Sequence, residues 1–216
     1  MHKTSKYFDE MGIEVFWYKK NKKTINFLHS DTIDELSLQV ENCTKCSLHN
    51  GRTQTVFGDG LLQSNILIIG EAPGRDEDKQ GKPFVGRAGK LLTEILKSIN
   101  IQRSDVYITN TVKCRPPDNR NPSKEEVDAC SNYLESQIEI IKPHLIILLG
   151  KVAADRLLNL DLPMSELRQK TYYYKANKIP VVVFYHPAYL LRSPSEKSKV
   201  WDDLNYMKNV FTKNVG

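Results

Sequence analysis

The chain has 216 residues, of which 40% are hydrophobic and 26% are charged, a balance that is ordinary for a globular protein. Its net charge of +5 is too small to identify a nucleic-acid partner by itself. No apolar run approaches the length of a membrane span, and the first residues carry acids where a signal peptide needs an apolar core. We therefore expect a cytoplasmic protein with one main domain and reduced cysteines.

The N-terminal segment, residues 1–30, combines aromatic side chains with a basic cluster in a pattern that assigns no fold. We treat it as an appendage to a domain of residues 31–216, and its composition leaves open whether it contacts a nucleic acid. A capping box at residues 32–35 then predicts the start of a helix, with Ile33, Leu36 and Val40 on its apolar face.

Four apolar or β-branched runs predict strands at residues 66–69, 106–112, 144–150 and 181–185. Helices with apolar faces are predicted between them, and a final helix covers residues 195–211. Strands that alternate with helices indicate a mostly parallel α/β sheet covered on both faces.

The loop after the first strand, residues 70–89, is the segment that we predict to form the site. It is rich in glycine and acidic residues, and it leads from the carboxyl end of a strand into a helix. Open α/β sheets bind their ligands at such positions. A structureless loop of about twenty residues is usually functional or disordered, and Phe84 and Val85 argue against disorder. We interpret Asp76 and Asp78 as solvated or capping residues.

The four cysteines are Cys43 and Cys46, which form a C-x2-C pair, and then Cys114 and Cys130. Without secretion, an even cysteine count favours a metal site over disulfides. The first pair ends a predicted helix and Cys114 precedes two prolines, so neither location is typical of core packing. Cys130 lies on an apolar helix face and also fits a core position. Four thiolates suit zinc or an iron–sulfur cluster, and spacing does not separate the two.

With these cysteines, the segments GEAPGRDEDKQGKPFVGRAG, TNTVKCRPP and HPAYLLR make residues 32–211 resemble a family 4 uracil-DNA glycosylase, the type with a 4Fe-4S cluster. The resemblance implies a three-layer α/β/α sandwich with a central four-stranded parallel sheet. It implies excision of uracil from DNA in base-excision repair. It also implies a structural 4Fe-4S cluster held by Cys43, Cys46, Cys114 and Cys130.

Carried over residue by residue, the resemblance implies catalytic roles for Glu71, Asn110 and His186. Glu71 would lie beside the sugar and the attacking water, and Asn110 at the polar edge of the base. His186 would lie near uracil O2, where it can donate a hydrogen bond to the departing base. An Asn at a strand end can instead make an ordinary turn.

The implied substrate-binding residues are Gly70, Glu77 and Phe84, together with Asn110 and His186. Phe84 would stack on a flipped base, which is worth roughly 1–3 kcal/mol, although a phenylalanine can equally be a core residue. Glu77 would crowd the C5 position, where thymine carries its methyl group.

Two sets of residues are expected to contact DNA. Basic residues near the motifs are predicted phosphate contacts: Lys82, Arg87, Lys113 and Arg115. The segment after His186 is predicted to enter the minor groove as a wedge: Tyr189, Leu190, Leu191 and Arg192. The alternative, that these leucines begin a buried helix, stays open for at least one of them.

We expect uracil-containing DNA as the partner of a monomeric chain, with no membrane and no nucleotide cofactor. No lysine in a motif position suits Schiff-base chemistry, so we predict a monofunctional glycosylase without a lyase step. A non-catalytic uracil-DNA binder or repair-complex subunit is the alternative, although retained Glu71, Asn110 and His186 disfavour it. A relative that captures DNA covalently would need an extra basic insert. A dinucleotide-binding oxidoreductase is disfavoured because GEAPGRDEDKQG does not match G-x-G-x-x-G.

Overall fold

The computed structural model describes residues 32–174 and 178–215. The proposed appendage, residues 1–30, lies outside the described residues, so its prediction stays open. In the described part of the chain, no helix combines the length and the apolar character needed to cross a membrane.

A single six-stranded sheet lies at the centre, in the order β1-β3-β2-β4-β6-β5. Its strands are β1 (Asp59–Gly60), β2 (Ile66–Gly70), β3 (Tyr107–Asn110), β4 (Leu145–Leu149), β5 (Tyr172–Tyr174) and β6 (Ile179–Phe184). The four inner strands are parallel, which confirms the predicted central sheet. The antiparallel edge strands β1 and β5 were not predicted, since two or three residues are too few to display a hydrophobic period.

Helices cover both faces of the sheet. They are α1 (Ile33–Glu41), α2 (Arg75–Gln80), α3 (Arg87–Lys97), α4 (Lys124–Ile141), α5 (Lys151–Leu158), α6 (Met164–Leu167), α7 (Pro187–Arg192) and α8 (Ser198–Val215). Helices α3, α7 and α8 pack on one face, and α4, α5 and α6 pack on the other. The predicted three-layer α/β/α sandwich is therefore confirmed.

The burial of the strands and the capping of the helices agree with the pattern of the sequence. All five residues of β2 are buried, as expected of a parallel strand covered on both faces. Helix α4 begins at a capping box, in which the Ser123 and Glu126 side chains each accept the other residue's backbone N–H. At the start of α1, Thr32 Oγ1 accepts a hydrogen bond from Glu35 N at 3.3 Å.

Helix α1 packs against α4 and closes a third apolar cluster that contains the cysteines.

The register of the sheet determines where a ligand can bind. Gly70 lies opposite Asn110, and Leu149 opposite Phe184, so the carboxyl ends of all four parallel strands reach the same edge. The connection after β2 packs on one face and the connection after β4 on the other, which opens a crevice at this edge.

The segment predicted as one long loop contains a helix. Helix α2 occupies its centre and ends at Gly81, whose φ of +69° is left-handed. Asp78 is 3% exposed and accepts a hydrogen bond from Thr53 N at 2.9 Å. Its interpretation as a solvated residue is therefore wrong, because its carboxylate ties α2 to the segment before β1.

Candidate active site

A cavity of about 460 Å³ lies at the carboxyl ends of the inner strands. Four side chains predicted for the site, from segments far apart along the chain, all line it: Glu71, Phe84, Asn110 and His186. Glu71 directly follows β2, Asn110 ends β3, and His186 follows β6. The volume is in the range of small-molecule pockets and leaves room for one nucleobase.

Asn110 presents an unsatisfied polar atom at this cavity. The residue is 1% exposed, and its Oδ1 has no hydrogen-bond partner among the described residues. A buried acceptor without a partner costs about 1–3 kcal/mol, so such an atom indicates a ligand that supplies a donor. Gly70 lies alongside, and a Cβ there would come within 2.4 Å of Asn110 Oδ1. The glycine keeps this part of the cavity open.

Phe84 forms an apolar wall of the cavity. Its ring centroid lies 5.6 Å from that of His186, with 34° between the ring planes. Its backbone has φ of +51°, a left-handed conformation that is uncommon for an aromatic residue and costs free energy. Such a conformation persists only where the surroundings hold it.

Two carboxylates line the cavity in different ways. Burial raises the pKa of Glu71 above its usual 4.5, which moves this group towards the range useful for a general base. Glu77 Oε1 instead accepts hydrogen bonds from Val85 N and Gly86 N, each at 2.9 Å. Glu77 therefore holds the backbone beside Phe84, a contact that the sequence did not indicate.

His186 is held as a neutral ring. Burial, and then the positive charge of Arg192, lower its pKa to about 4. The Nδ1 atom accepts a hydrogen bond from Ala188 N at 3.1 Å, in the first turn of α7. The ring is therefore neutral near neutral pH and oriented by its own helix.

All four cysteines line a second, smaller cavity, between α1, the segment after β3, and α4. Cys114 and Cys130 are buried, and Cys43 and Cys46 are half-buried. Arg52 Nη1 donates a hydrogen bond to Cys114 Sγ at 3.1 Å. Cys130 thus shares one site with the other three thiols, although its position on α4 also belongs to an apolar cluster.

The four thiols around this cavity are donors that suit either zinc or an iron–sulfur cluster. Within residues 32–174 and 178–215, no group of three or more His, Cys, Asp or Glu side chains is placed to hold a metal ion. The donor set around the cavity is four sulfurs, the usual ligands of an iron–sulfur cluster. Positively charged Arg52 and Lys113 also line this cavity, which suits a group that carries negative charge.

Comparison with known proteins decides the family. The model of the uracil DNA glycosylase superfamily matches residues 57–205. The type-4 uracil-DNA glycosylase of Archaeoglobus fulgidus is 45% identical over 179 residues, which cover 80% of this chain and 90% of that protein. The chain belongs to the uracil-DNA glycosylase superfamily. The type-4 enzyme of Thermotoga maritima is 42% identical over 87% of this chain and 98% of its own length, and that of Pyrobaculum aerophilum is 43% identical over 80% and 91%.

Membership of the uracil-DNA glycosylases confirms the resemblance found in the sequence, but one predicted DNA contact is wrong. Lys113 is 1% exposed, and its ammonium donates to Thr109 Oγ1 at 2.6 Å, Gln137 Oε1 at 2.6 Å and Asn110 O at 2.8 Å. A buried ammonium with three acceptors cannot reach a phosphate. Lys113 instead connects the cysteine cavity to the strand end that carries Asn110.

A second correction concerns the predicted wedge. Leu190 is 1% exposed and belongs to the apolar core between α7 and the sheet, so it cannot enter a groove of DNA. The alternative of a buried helix is correct for this leucine. Leu191 is partly exposed, and Tyr189 and Arg192 line the cavity. The helical period of α7 explains the division, because adjacent residues point to different sides.

The remaining predicted DNA contacts lie at the surface of this glycosylase domain. Arg87 is exposed at the start of α3. Lys82 is also exposed, and its Nζ lies 3.6 Å from Asp59 Oδ1. Arg115 is half-buried and donates from Nε to Asn119 Oδ1 at 2.8 Å. These positions leave the three side chains available to phosphate groups, and their role remains a prediction.

A cavity wall that the sequence did not indicate comes from the loop between β3 and α4. Four of its residues line the cavity: Pro116, Asn119, Arg120 and Asn121. Glu126 at the start of α4 holds the Arg120 guanidinium through two hydrogen bonds of 2.6 and 2.8 Å. Arg120 in turn lowers the pKa of Glu126 to about 2. The sequence signal that could have indicated this wall is PPDNRNP, a turn-forming run that begins two residues after Cys114.

Proposed function

We propose that this chain is a monofunctional DNA glycosylase that hydrolyses the N-glycosidic bond of uracil in DNA, as part of base-excision repair. A base inside a duplex is out of reach, so the enzyme must first flip the nucleotide into the cavity. The names of the type-4 relatives support uracil as the base. The observation that carries the proposal is the unpaired Asn110 Oδ1, buried in a cavity whose walls include Phe84 and His186.

Recognition of uracil follows from its polar edge. The N3–H group of uracil is a donor, and it matches the unpaired Oδ1 of Asn110. The Asn110 amide nitrogen can donate to uracil O4 at the same time. Cytosine presents the opposite pattern, since its N3 is an acceptor and its N4 a donor. Phe84 would stack on the ring, and Glu77, beside it, would crowd the C5 position.

Bond cleavage leaves the bonding electrons on uracil and positive charge on the deoxyribose. The departing N1 anion spreads its charge onto O2, where the N–H of neutral His186 can stabilise it. Glu71 can stabilise the sugar cation and accept a proton from water as the water oxygen bonds to C1′. Its raised pKa suits that proton transfer.

We further propose a 4Fe-4S cluster held by Cys43, Cys46, Cys114 and Cys130. The four sulfurs around one cavity suit such a cluster, and the relatives named type-4 uracil-DNA glycosylases support it, since the resemblance in the sequence is to the type with a 4Fe-4S cluster. Such a cluster would join α1, the segment after β3, and α4. No step of the reaction requires it.

The proposed setting of the reaction is the cytoplasm, with DNA as partner and the chain acting as a monomer without nucleotide cofactor. The side chains given catalytic roles all line one cavity within this chain, and the four thiols line another, as expected of cysteines that stay reduced in the cytoplasm. We also propose that residues 31–216 form the glycosylase domain and residues 1–30 an appendage to it.

The proposal is tested with oligonucleotides that contain one uracil, single-stranded or paired with guanine, incubated with the protein and then treated with alkali. Strand scission at the uracil position is expected, and a thymine oligonucleotide should stay intact. Scission without alkali would contradict the absence of a lyase step. Tight binding of uracil-DNA without release of the base would favour the non-catalytic alternative.

A further inference from the structure

The backbone segment that carries Phe84, residues 83–86, is held from two sides; we call it the strap. On one side, Glu77 Oε1 accepts the N–H groups of Val85 and Gly86. The strap also lies directly on α3, where a Cβ at Gly89 would come within 1.8 Å of Phe84 O. These contacts keep the left-handed Phe84 at one place in the cavity wall.

On the other side of the strap lies Arg103, in the 3-10 turn before β3. Its Nη1 donates to Phe84 O at 3.1 Å, and its Nη2 donates to Pro83 O at 2.6 Å. Asp59 Oδ2 lies 3.5 Å from Nη2 and supplies the opposite charge. A planar guanidinium can bind two successive carbonyl oxygens through two nitrogens in a fixed geometry, whereas a lysine offers one ammonium on a flexible stem.

Arg103 does not line the cavity, so it can act on a bound base only through the strap. Arg103 donates to the carbonyl oxygens of Pro83 and Phe84. Loss of both hydrogen bonds would free the Phe84 peptide to leave its costly left-handed conformation, and the ring would move with it. The carbonyls would also lose their partners at the edge of the core.

We propose that Arg103, supported by Asp59, is a positioning residue for recognition of the flipped base, and that it acts by holding the ring of Phe84 in place. This inference rests on the proposed function. It gives the Arg103–Asp59 ion pair a role in the reaction, although neither residue lines the cavity.

The test is single-turnover uracil release by Arg103→Gln with enzyme in excess over DNA. The rate should fall roughly 10- to 100-fold, because small misplacements of a positioning group carry losses of this size. Affinity for uracil-free DNA should not change. Arg103→Lys should recover part of the rate, since an ammonium can still donate to one of the two carbonyls.

A double-mutant comparison separates positioning from general stability. The variant with both Arg103→Gln and Phe84→Ala should be no slower than Phe84→Ala alone, because the ring that Arg103 positions is then absent. Ile138→Val, in α4 on the opposite face of the sheet, is the control for a modest loss of stability and should retain the wild-type rate. Independent, multiplicative losses in the double variant would overturn the proposal.

A second measurement does not depend on activity. Hydrogen exchange at the amides of Val85 and Gly86 should be faster in Arg103→Gln than in the unaltered chain, and unchanged in Ile138→Val. If Arg103→Gln does not fold, Asp59→Asn gives the same readouts with smaller effects. Unchanged exchange in the strap would refute the role of Arg103 in holding it. Failure of the unaltered chain to release uracil would instead refute the proposed function, and the exchange result would then decide whether Arg103 holds the strap.

Discussion

His186 Nδ1 accepts a hydrogen bond from the backbone N–H of Ala188, at 3.1 Å. An imidazole nitrogen that accepts a hydrogen bond carries no hydrogen of its own, so the single N–H of the neutral ring lies on Nε2. Burial and the nearby Arg192 keep the ring neutral by lowering its pKa to about 4. His186 can therefore offer a neutral N–H donor, and not an imidazolium, to the departing base.

The first prediction concerns the pH dependence of uracil release. A catalytic imidazolium would lose activity as pH rises through 6.5, the ordinary histidine pKa, and we expect no such loss here. The acidic limb should have its midpoint above 4.5, because the pKa of Glu71 is raised and the reaction needs its carboxylate. Single-turnover rates across this range measure both features. A rate that declines around pH 6.5 in the wild type but not in His186→Gln would contradict the neutral-donor assignment.

The second prediction concerns stability. The unfolded chain protonates His186 below pH 6.5, whereas the folded chain resists protonation down to about pH 4. The unfolded state thus binds more protons in that interval, and the free energy of unfolding should fall as pH drops from 6.5 to 4. Urea unfolding of the wild type and His186→Gln measures the effect as a difference in slope. Parallel curves for the two proteins would show that His186 titrates normally.

The third prediction concerns Asn110. Asn110→Ala removes the groups that read uracil, and uracil release should fall roughly 100- to 1000-fold, as for a lost preorganised donor in other enzymes. Binding to uracil-free DNA should be retained. Asn132→Ala, on the exposed side of α4, is the matched control and should behave as wild type. Equal losses of excision and of binding would remove Asn110 from base recognition.

The fourth prediction separates two adjacent leucines. Leu190→Ala should lower the free energy of unfolding by about 2–5 kcal/mol, because it leaves a hole in the core. Leu191→Ala should leave stability nearly unchanged and reduce uracil release from duplex DNA more than from single strands. Chemical unfolding and excision assays on both substrates test the pair. A Leu191→Ala enzyme with wild-type duplex activity would exclude the wedge.

The fifth prediction concerns the thiols. Protein purified without oxygen should be brown and absorb near ~400 nm, as iron–sulfur proteins do. Cys114→Ser should lose iron and that absorbance, because it removes one of the four sulfurs around the cavity. Metal analysis and absorbance spectra provide the readout, and neither depends on excision. A colourless, zinc-containing protein with full activity would refute the cluster.

Much of the fold could be predicted because its signals are local. The buried parallel strands appear as continuous apolar runs, and capping residues mark the starts of α1 and α4. The edge strands escaped prediction because their pairing depends on neighbours distant in the chain.

The motifs by themselves predicted the family, and the resemblance implied that the side chains after β2, β3 and β6 lie around one base. Tertiary structure alone decided which of the nearby residues can reach DNA. Lys113 and Leu190 lie in motifs that resemble surface segments, yet both are buried by contacts with distant elements. Arg103 carries no local signal at all, because its partners, Asp59 and the Phe84 carbonyl, come near it only when the sheet and α3 have assembled.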